Sequence, residues 1–360
     1  MNYLYENQIN MISILVVGCG NMGASHAMAY ENHHGFTICG LVSRGNSKEK
    51  LNAQLKGDYP LYVSFEEALE KEKPKAVCIS TYPETHQPYT LKALDAGCHV
   101  FLEKPIATSV EGGQRILKKM VNTQKKVMIG YILRHHPVWK EFIAQSKTLG
   151  KPLVMRMNLN QQSRGIMWGV HQNLMQSLSP IVDCGVHYLD VMCQMTSAVP
   201  LSVSAIGVRL TDAIPENNYN YGQLQIRFKD GSVGWYEAGW GPMVSETAHF
   251  IKDVFGPKGS VSLLQEAQQT DAVEGHTQTD IMKIHRASID KDNQFIYPDE
   301  KRSFDEAPSH QDLCDFEQEY FYHAISNDLD LSTHVQEAID SLAIALACDI
   351  AVKSGETVYL

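Results

Sequence analysis

Six residues near the start of the chain limit what it can fold into. Gly18-Cys19-Gly20-Asn21-Met22-Gly23 follows the apolar run Ile12–Val17 and opens a helical pattern. Gly18 permits a tight turn, Gly20 lets the backbone approach a pyrophosphate, and Gly23 lets strand and helix pack closely. A helix starting at Asn21 and Met22 offers free N–H groups and its positive dipole end to phosphate oxygens. A bare strand-to-helix turn with no ligand is the competing reading.

The residues around this motif repeat its pattern. Short apolar runs at Ile12–Val17, Phe36–Val42, Ala76–Ile79, His99–Leu102 and Val127–Gly130 alternate with amphipathic stretches around 22–32, 47–56, 65–72, 85–96 and 109–123. Strands apolar on both faces and separated by helices predict a doubly wound parallel sheet, a Rossmann domain, over 1–131. Gly97 stops one of these helices as a C′ glycine would. From 132 to 360 the pattern predicts an α+β domain with a large, mostly antiparallel open sheet. Its strands are expected at 153–160, 201–210, 221–229, 232–240, 247–255 and 259–264, with helices at 180–195, 310–326 and 332–353. Asp230-Gly231 predicts a type I′ hairpin, 161–176 reads as a polar loop, and 265–309 has no clear pattern.

Composition narrows the function classes. Net charge is −10 with no basic cluster longer than a pair, which speaks against a nucleic-acid partner. No apolar run is long enough to span a bilayer. The first eleven residues lack the basic start and apolar core of a secretory signal, and Met11 reads as an alternative start. The eight cysteines show no Cys-x-x-Cys spacing. They read as reduced core residues of a cytoplasmic protein, with no cysteine-built metal site expected.

Three further segments carry chemistry. The second strand ends in Ser43-Arg44-Gly45-Asn46-Ser47-Lys48, with no carboxylate before Glu49. A hydroxyl, a guanidinium and an amine suit a ribose 2′-phosphate better than a 2′-hydroxyl, so NADP is favoured over NAD; a solvated loop with incidental Arg and Lys is the alternative. Glu103-Lys104-Pro105 closes a buried parallel strand where such sheets bind ligands, and Pro105 stiffens the backbone beside Lys104. An ordinary surface lysine is the other reading. Asp183 and His187 stand four residues apart on a predicted helix with Asp190 beyond, and Gly185 leaves room for a ligand beside that face. Histidine suits proton exchange near neutral pH, and a carboxylate one turn away can orient it. A hydrogen-bonded core histidine or a metal pair would show the same spacing.

Together with Ser80-Thr81-Tyr82-Pro83-Glu84-Thr85-His86, these segments resemble the glucose–fructose oxidoreductase/inositol dehydrogenase/rhizopine catabolism family. The resemblance implies that Lys104, Asp183 and His187 hold the catalytic positions. It also implies that Ser80, Thr81, Pro83, His86, Glu103 and Lys104 bind cofactor, most of them near the nicotinamide, and that Arg134 stands at the domain junction near the substrate. Ser179-Pro180 departs from the Gly-Gly common before the catalytic helix in that family. Segment 161–176, with Arg164, Trp168, His171 and Asn173, matches no subfamily pattern. It is either a substrate loop, with Trp168 stacking on a sugar and His171 binding hydroxyls, or a subunit contact.

The activity implied is hydride transfer between NAD(P) and a secondary alcohol or ketone of a sugar, cyclitol or related polyol. Two alternatives remain: a cofactor-binding regulator without net chemistry, and an NAD-dependent glycosidase. A homodimer or homotetramer through the C-terminal sheet is expected, because an open sheet face needs cover.

Overall fold

The computed structural model describes residues 11–245, 250–264, 281–304 and 308–360. The chain forms two compact units, Met1–Gly130 with Gln311–Gln336, and Tyr131–His310 with Glu337–Leu360.

The first unit is built on six strands: β1 (Ile12–Val17), β2 (Phe36–Val42), β3 (Leu61–Tyr62), β4 (Ala76–Ile79), β5 (His99–Leu102) and β6 (Val127–Ile129). All pair in parallel in the order β3-β2-β1-β4-β5-β6. This is the doubly wound arrangement, and its order reverses between β1 and β4, where such sheets open a ligand crevice. β4 is buried along its whole length, which explains its unbroken apolar run. Helices Asn21–Asn32, Ser47–Gln54, Phe65–Glu72, Pro83–Asp95 and Val110–Thr123 follow β1 to β5. Ser64 and Ser109 cap two of them through bonds to the Glu67 and Gly112 amides. Gly97 has φ +80 and ends the helix before β5, as expected for a C′ glycine.

The helix His310–Ser326 contributes to this unit, although its place in the sequence put it with 132–360. Phe321, Ala324 and Leu331 share a core with Tyr30, Phe36 and Phe101. An aromatic pair such as Phe36 and Phe321, 285 residues apart, leaves no local trace in the sequence.

The second unit carries β7 (Val154–Gln162), β8 (Pro200–Val208), β9 (Tyr221–Phe228), β10 (Val233–Gly241), β11 (Lys252–Gly256), β12 (Gly259–Leu264), β13 (Ile281–Arg286), β14 (Glu300–Ser303) and β15 (Val358–Tyr359). They form one sheet, β14-β13-β12-β11-β7-β10-β9-β8-β15, antiparallel throughout except for the β7–β10 pair. On β9 and β10, Leu224, Ile226, Tyr236, Ala238 and Trp240 are buried while Gln225, Arg227 and Val233 are exposed, the period-two signature of a sheet with one covered face. Two of these strands, β13 and β14, lie in the unpatterned 265–309, of which 265–280 and 305–307 fall outside the described residues. So does 247–249 of the strand expected at 247–255.

Two local expectations are corrected. The β9–β10 hairpin forms, but Gly231 alone has positive φ (+84), whereas a type I′ turn needs it at both central residues. The Gly231 amide bonds to the Phe228 carbonyl (3.0 Å), and Asp230 accepts from the Ser232 amide (2.9 Å) and the Thr196 hydroxyl (2.5 Å). Those side-chain bonds hold Asp230 in an ordinary conformation and leave the left-handed position to the glycine. The polar loop expected over 161–176 is instead the end of β7 and a helix, Gly165–Leu174. No described helix is long and apolar enough to cross a membrane.

Candidate functional site

In the first unit the glycines behave as their spacing predicts. Gly18 has φ +95, and a Cβ there would lie 2.3 Å from the Ser80 carbonyl oxygen. At Gly23 a Cβ would meet the Gly18 carbonyl oxygen at 1.8 Å, so only glycine lets the helix Asn21–Asn32 start this close to the strand. Gly20 meets nothing within 4 Å, and no side chain caps that helix. The turn is thus a cradle with an open middle and uncapped first-turn amides, which fits a dinucleotide pyrophosphate.

The end of β2 is less basic in space than in sequence. Ser43 shares a 2.6 Å hydrogen bond with Ser47, and Arg44 is exposed. Lys48 is buried; its Nζ donates to the Gly45 carbonyl (2.8 Å) and pairs with Glu49 (3.1 Å). Of the three groups read as a phosphate set, the amine therefore stabilises its own loop. The hydroxyl and guanidinium remain.

The ends of β4 and β5 are tied together through His86. Its ring nitrogens face the carbonyls of Pro105 (2.7 Å) and Thr81 (2.9 Å), and burial pushes its pKa down despite both bonds. Thr81 also accepts from Thr85 (2.7 Å), and Pro83 starts the helix as its first residue, where its missing N–H costs nothing. Glu103 is buried. It takes the His26 Nε2 at 2.7 Å on one oxygen and the Lys104 amide at 3.2 Å on the other. Burial alone would raise the Glu103 pKa; the His26 hydrogen bond and the Lys104 charge work against it, and the carboxyl is held below its ordinary value. Lys104 is half-buried beyond this carboxylate. Gly18, Ser80, Thr81, Glu103 and Lys104 all stand at the carboxyl ends of β1, β4 and β5, three adjacent inner strands.

In the second unit the helix at 180–196 opens with a π-helical turn, Ile181–Gly185, before the α-helix Val186–Thr196. Ser179 begins it, its hydroxyl accepting from the Val182 amide (3.1 Å), so Ser179-Pro180 serves as a capped start in place of Gly-Gly. Asp183 is half-buried within the π turn. His187 is buried at the start of the α-helix, with the Tyr131 ring edge-on at 5.6 Å. Wide turns of this kind recur at functional sites. Gly185 does not leave room for a ligand: a Cβ there would lie 2.9 Å from the Tyr236 ring, so the glycine admits that ring.

Arg134 is committed within its own unit. Its Nε donates to Asp190 at 2.8 Å, a second guanidinium nitrogen bonds the other Asp190 oxygen, and the third pairs with Glu337 at 2.8 Å. On the helix Gly165–Leu174, His171 is buried, bonded to Ser163 (2.6 Å) and stacked on Trp240 at 4.2 Å with an interplanar angle of 8°. Trp168 is half-buried, and Arg164 and Asn173 are exposed.

Sequence reasoning missed His26, Gln318, Glu317 and Lys252. His26 lies one turn past Gly23, and Gln318 bonds its Nδ1 at 3.0 Å from 292 residues away. His26, Cys314 and Glu317 carry donor atoms within 4.8 Å of one another. Both imidazole nitrogens are already hydrogen-bonded, however, and burial pushes the Cys314 thiol and Glu317 carboxyl up. His26 is thus spent on Glu103 and Gln318, and burial favours the protonated forms of Cys314 and Glu317.

The family follows from the whole-chain comparison. The profile of the oxidoreductase family with an NAD-binding Rossmann fold (Gfo/Idh/MocA) matches residues 12–131, and that of the family's C-terminal alpha/beta domain matches 140–360. The chain belongs to this family. Among its relatives, inositol 2-dehydrogenase/D-chiro-inositol 3-dehydrogenase of Halalkalibacterium halodurans is 28% identical over 149 residues, 39% of this chain and 42% of that protein. The chain therefore matches about two fifths of that relative's length. The scyllo-inositol 2-dehydrogenase (NAD(+)) of Bacillus subtilis is 24% identical over 302 residues, 82% of this chain and 80% of the relative. An oxidoreductase from Thermotoga maritima shares the fold with a TM-score of 0.77 at 23% identity, covering 97% of this chain and 98% of the other.

Proposed function

We propose that this member of the family is an NAD(P)-dependent dehydrogenase acting on a secondary alcohol of a sugar, cyclitol or related polyol. The observation that carries the reading is the assembly at the ends of β1, β4 and β5: an open glycine cradle beside Ser80, with Thr81, Glu103 and Lys104 on the adjoining strands. Gly18, Gly20, Asn21, Met22 and Gly23 hold the pyrophosphate. Ser80, Thr81, Pro83, His86 and Glu103 shape the nicotinamide end. Ser43 and the exposed Arg44 favour a 2′-phosphate, hence NADP(H) over NAD(H).

The nicotinamide supplies the hydride chemistry when bound. His187 takes the substrate hydroxyl proton as general base, or returns it in the reverse direction. Lys104 donates a hydrogen bond to the same oxygen and stabilises negative charge developing there. Asp183 orients the substrate or the imidazole. Trp168 and His171 contribute to substrate recognition, Trp168 by its half-buried ring and His171 through its place on Trp240. Arg134 acts one step back, holding Asp190 on the helix that carries His187. The eight free cysteines suit a reducing, cytoplasmic setting. Ile206, Val208, Val233 and Phe255 are exposed on the sheet, which supports a homodimer or homotetramer formed through it.

The test is a fluorescence titration with NADPH and NADH, followed by a turnover screen of inositols and glycosides. Tighter NADPH binding that is lost in Arg44→Ala supports the cofactor assignment, and preference for NADH refutes it. Lys104→Ala and His187→Ala should each lower turnover by at least about 100-fold with little change in cofactor affinity. Near-parental turnover in both would sink the catalytic assignments.

A further inference from the structure

Behind Lys104 lies a chain of buried bonds that the proposed reaction does not use. The Gln318 Nε2 lies 3.0 Å from His26 Nδ1, His26 Nε2 lies 2.7 Å from Glu103 Oε1, and Glu103 Oε2 accepts from the Lys104 amide at 3.2 Å. His26 and Gln318 are fully buried, and Glu103 is 6% exposed.

The orientation of the Gln318 amide, with Nε2 rather than Oε1 toward His26, sets the protonation pattern. An amide nitrogen only donates, so Nδ1 of His26 is the acceptor and Nε2 carries the proton that goes to Glu103. Glu103 then accepts on both oxygens, which only the carboxylate does at full strength. Its negative charge faces His26 from the helix Asn21–Asn32, His86 from Pro83–Asp95, Cys78 from β4, Cys314 and Glu317 from His310–Ser326, and Lys104 on its own segment. Burial and the Glu103 charge together push the Glu317 carboxyl up and so favour its protonated form beside the Glu103 carboxylate. Space is equally constrained: at Gly130 a Cβ would lie 3.3 Å from Glu103 Oε1. The carboxylate can neither rotate freely nor lose its donor without moving the strand end.

The geometry points to His26, held in one tautomer by Gln318, as the positioning residue for the Glu103–Lys104 strand end. This rests on Lys104 being the group that bonds the substrate oxygen. Because Glu103 accepts from the peptide N–H of Lys104 itself, the tautomer of His26 sets the backbone from which the lysine side chain starts. The segment 311–336, remote in sequence, thereby acts on the reaction through an amide and an imidazole.

The test needs no substrate at first. In ¹⁵N NMR of the full chain, His26 should show an unprotonated Nδ1 and a protonated Nε2; an Nδ1–H or imidazolium pattern overturns the proposal. In Gln318→Met the single tautomer should be lost; its retention also overturns it. His26→Leu should lower kcat about 10- to 100-fold, the range for a displaced catalytic group, and move the acid limb of its pH profile upward as Glu103 loses a donor. His26→Gln, whose amide can replace the Nε2 donor, should restore most of kcat and the parental pH limb. Parental kcat and pH limb in His26→Leu and Gln318→Met, with Lys104→Ala inactive, would overturn the positioning role and leave Lys104 in place. An active Lys104→Ala would instead remove the reading on which it rests.

Discussion

Gly20 and Gly23 are three residues apart, yet an added methyl group should do different things at each. At Gly23 the Cβ would meet a backbone oxygen at 1.8 Å and its carbon at 2.8 Å, and no side-chain rotation relieves either contact. The helix must move off β1. Overpacking of this kind costs about 1–3 kcal/mol, and the better helix propensity of Ala offsets about 1 kcal/mol of it. With a backbone oxygen as close as 1.8 Å the cost falls at the upper end, so Gly23→Ala should lose about 2 kcal/mol of stability, and cofactor binding with it. At Gly20 the Cβ enters open space with φ −78, a conformation any residue adopts. The poorer N-cap preference of Ala, about 0.5–1 kcal/mol, is balanced by a similar loss of unfolded-chain entropy. Gly20→Ala should leave the urea midpoint almost unmoved while weakening NADPH binding at least about tenfold, equal to about 1.4 kcal/mol, because the methyl stands where the pyrophosphate approaches. Parallel urea melts and fluorescence titrations separate the two effects. Parental affinity in Gly20→Ala would refute the cradle, and parental stability in Gly23→Ala would refute the packing argument.

Three further outcomes follow from charges in the second unit. Burial would raise the Asp230 pKa, but bonds from Thr196, Ser232 and Lys151 bring it down to about 2 from an ordinary 3.8. Its contribution is thus present above about pH 4 and is lost as pH falls through 2, on the order of 2 kcal/mol; Asp230→Asn should flatten that part of an acid-unfolding curve. Lys252 is fully buried, donates to the Asn158 carbonyl and lies over the Tyr188 (4.6 Å) and Phe250 (4.3 Å) rings, and burial lowers its pKa from 10.5 to about 7. Between pH 7 and 10.5 only the unfolded chain holds that proton, so stability should climb with pH by up to about 1.4 kcal/mol per unit. Urea midpoints measured across that range should lose the slope in Lys252→Met and rise at pH 7. Arg134→Ala strands the Asp190 carboxylate, which is 1% exposed, and should cost about 3–5 kcal/mol by urea melt. Arg134→Lys should recover only part, since an ammonium cannot make the two-pronged bond.

Features that repeat with a short period, or that depend on one residue's conformational range, are legible in the residues alone. Strands β1, β2, β4, β5 and β12 and the helix His310–Ser326 lie where apolar spacing puts them. Gly18, Gly23 and Gly97 do what their positions require, because a steric exclusion is local. Tertiary structure decided everything that depends on a distant partner. The helix Gly165–Leu174 is hidden by its two glycines, which read as loop, and His171 on it is placed by Trp240, sixty-nine residues on. Gly185 looked like room for a ligand until Tyr236 filled it. Lys48 looked like a phosphate ligand until it turned back to its own loop. Phe321 and Gln318 joined the first unit through contacts to Phe36, Phe101 and His26. Local spacing dictates element type and backbone conformation, because those energies involve near neighbours. Which polar groups are spent on structure and which remain for chemistry is settled only when distant segments meet, since a buried hydrogen bond or ion pair exists only once both partners have left water together.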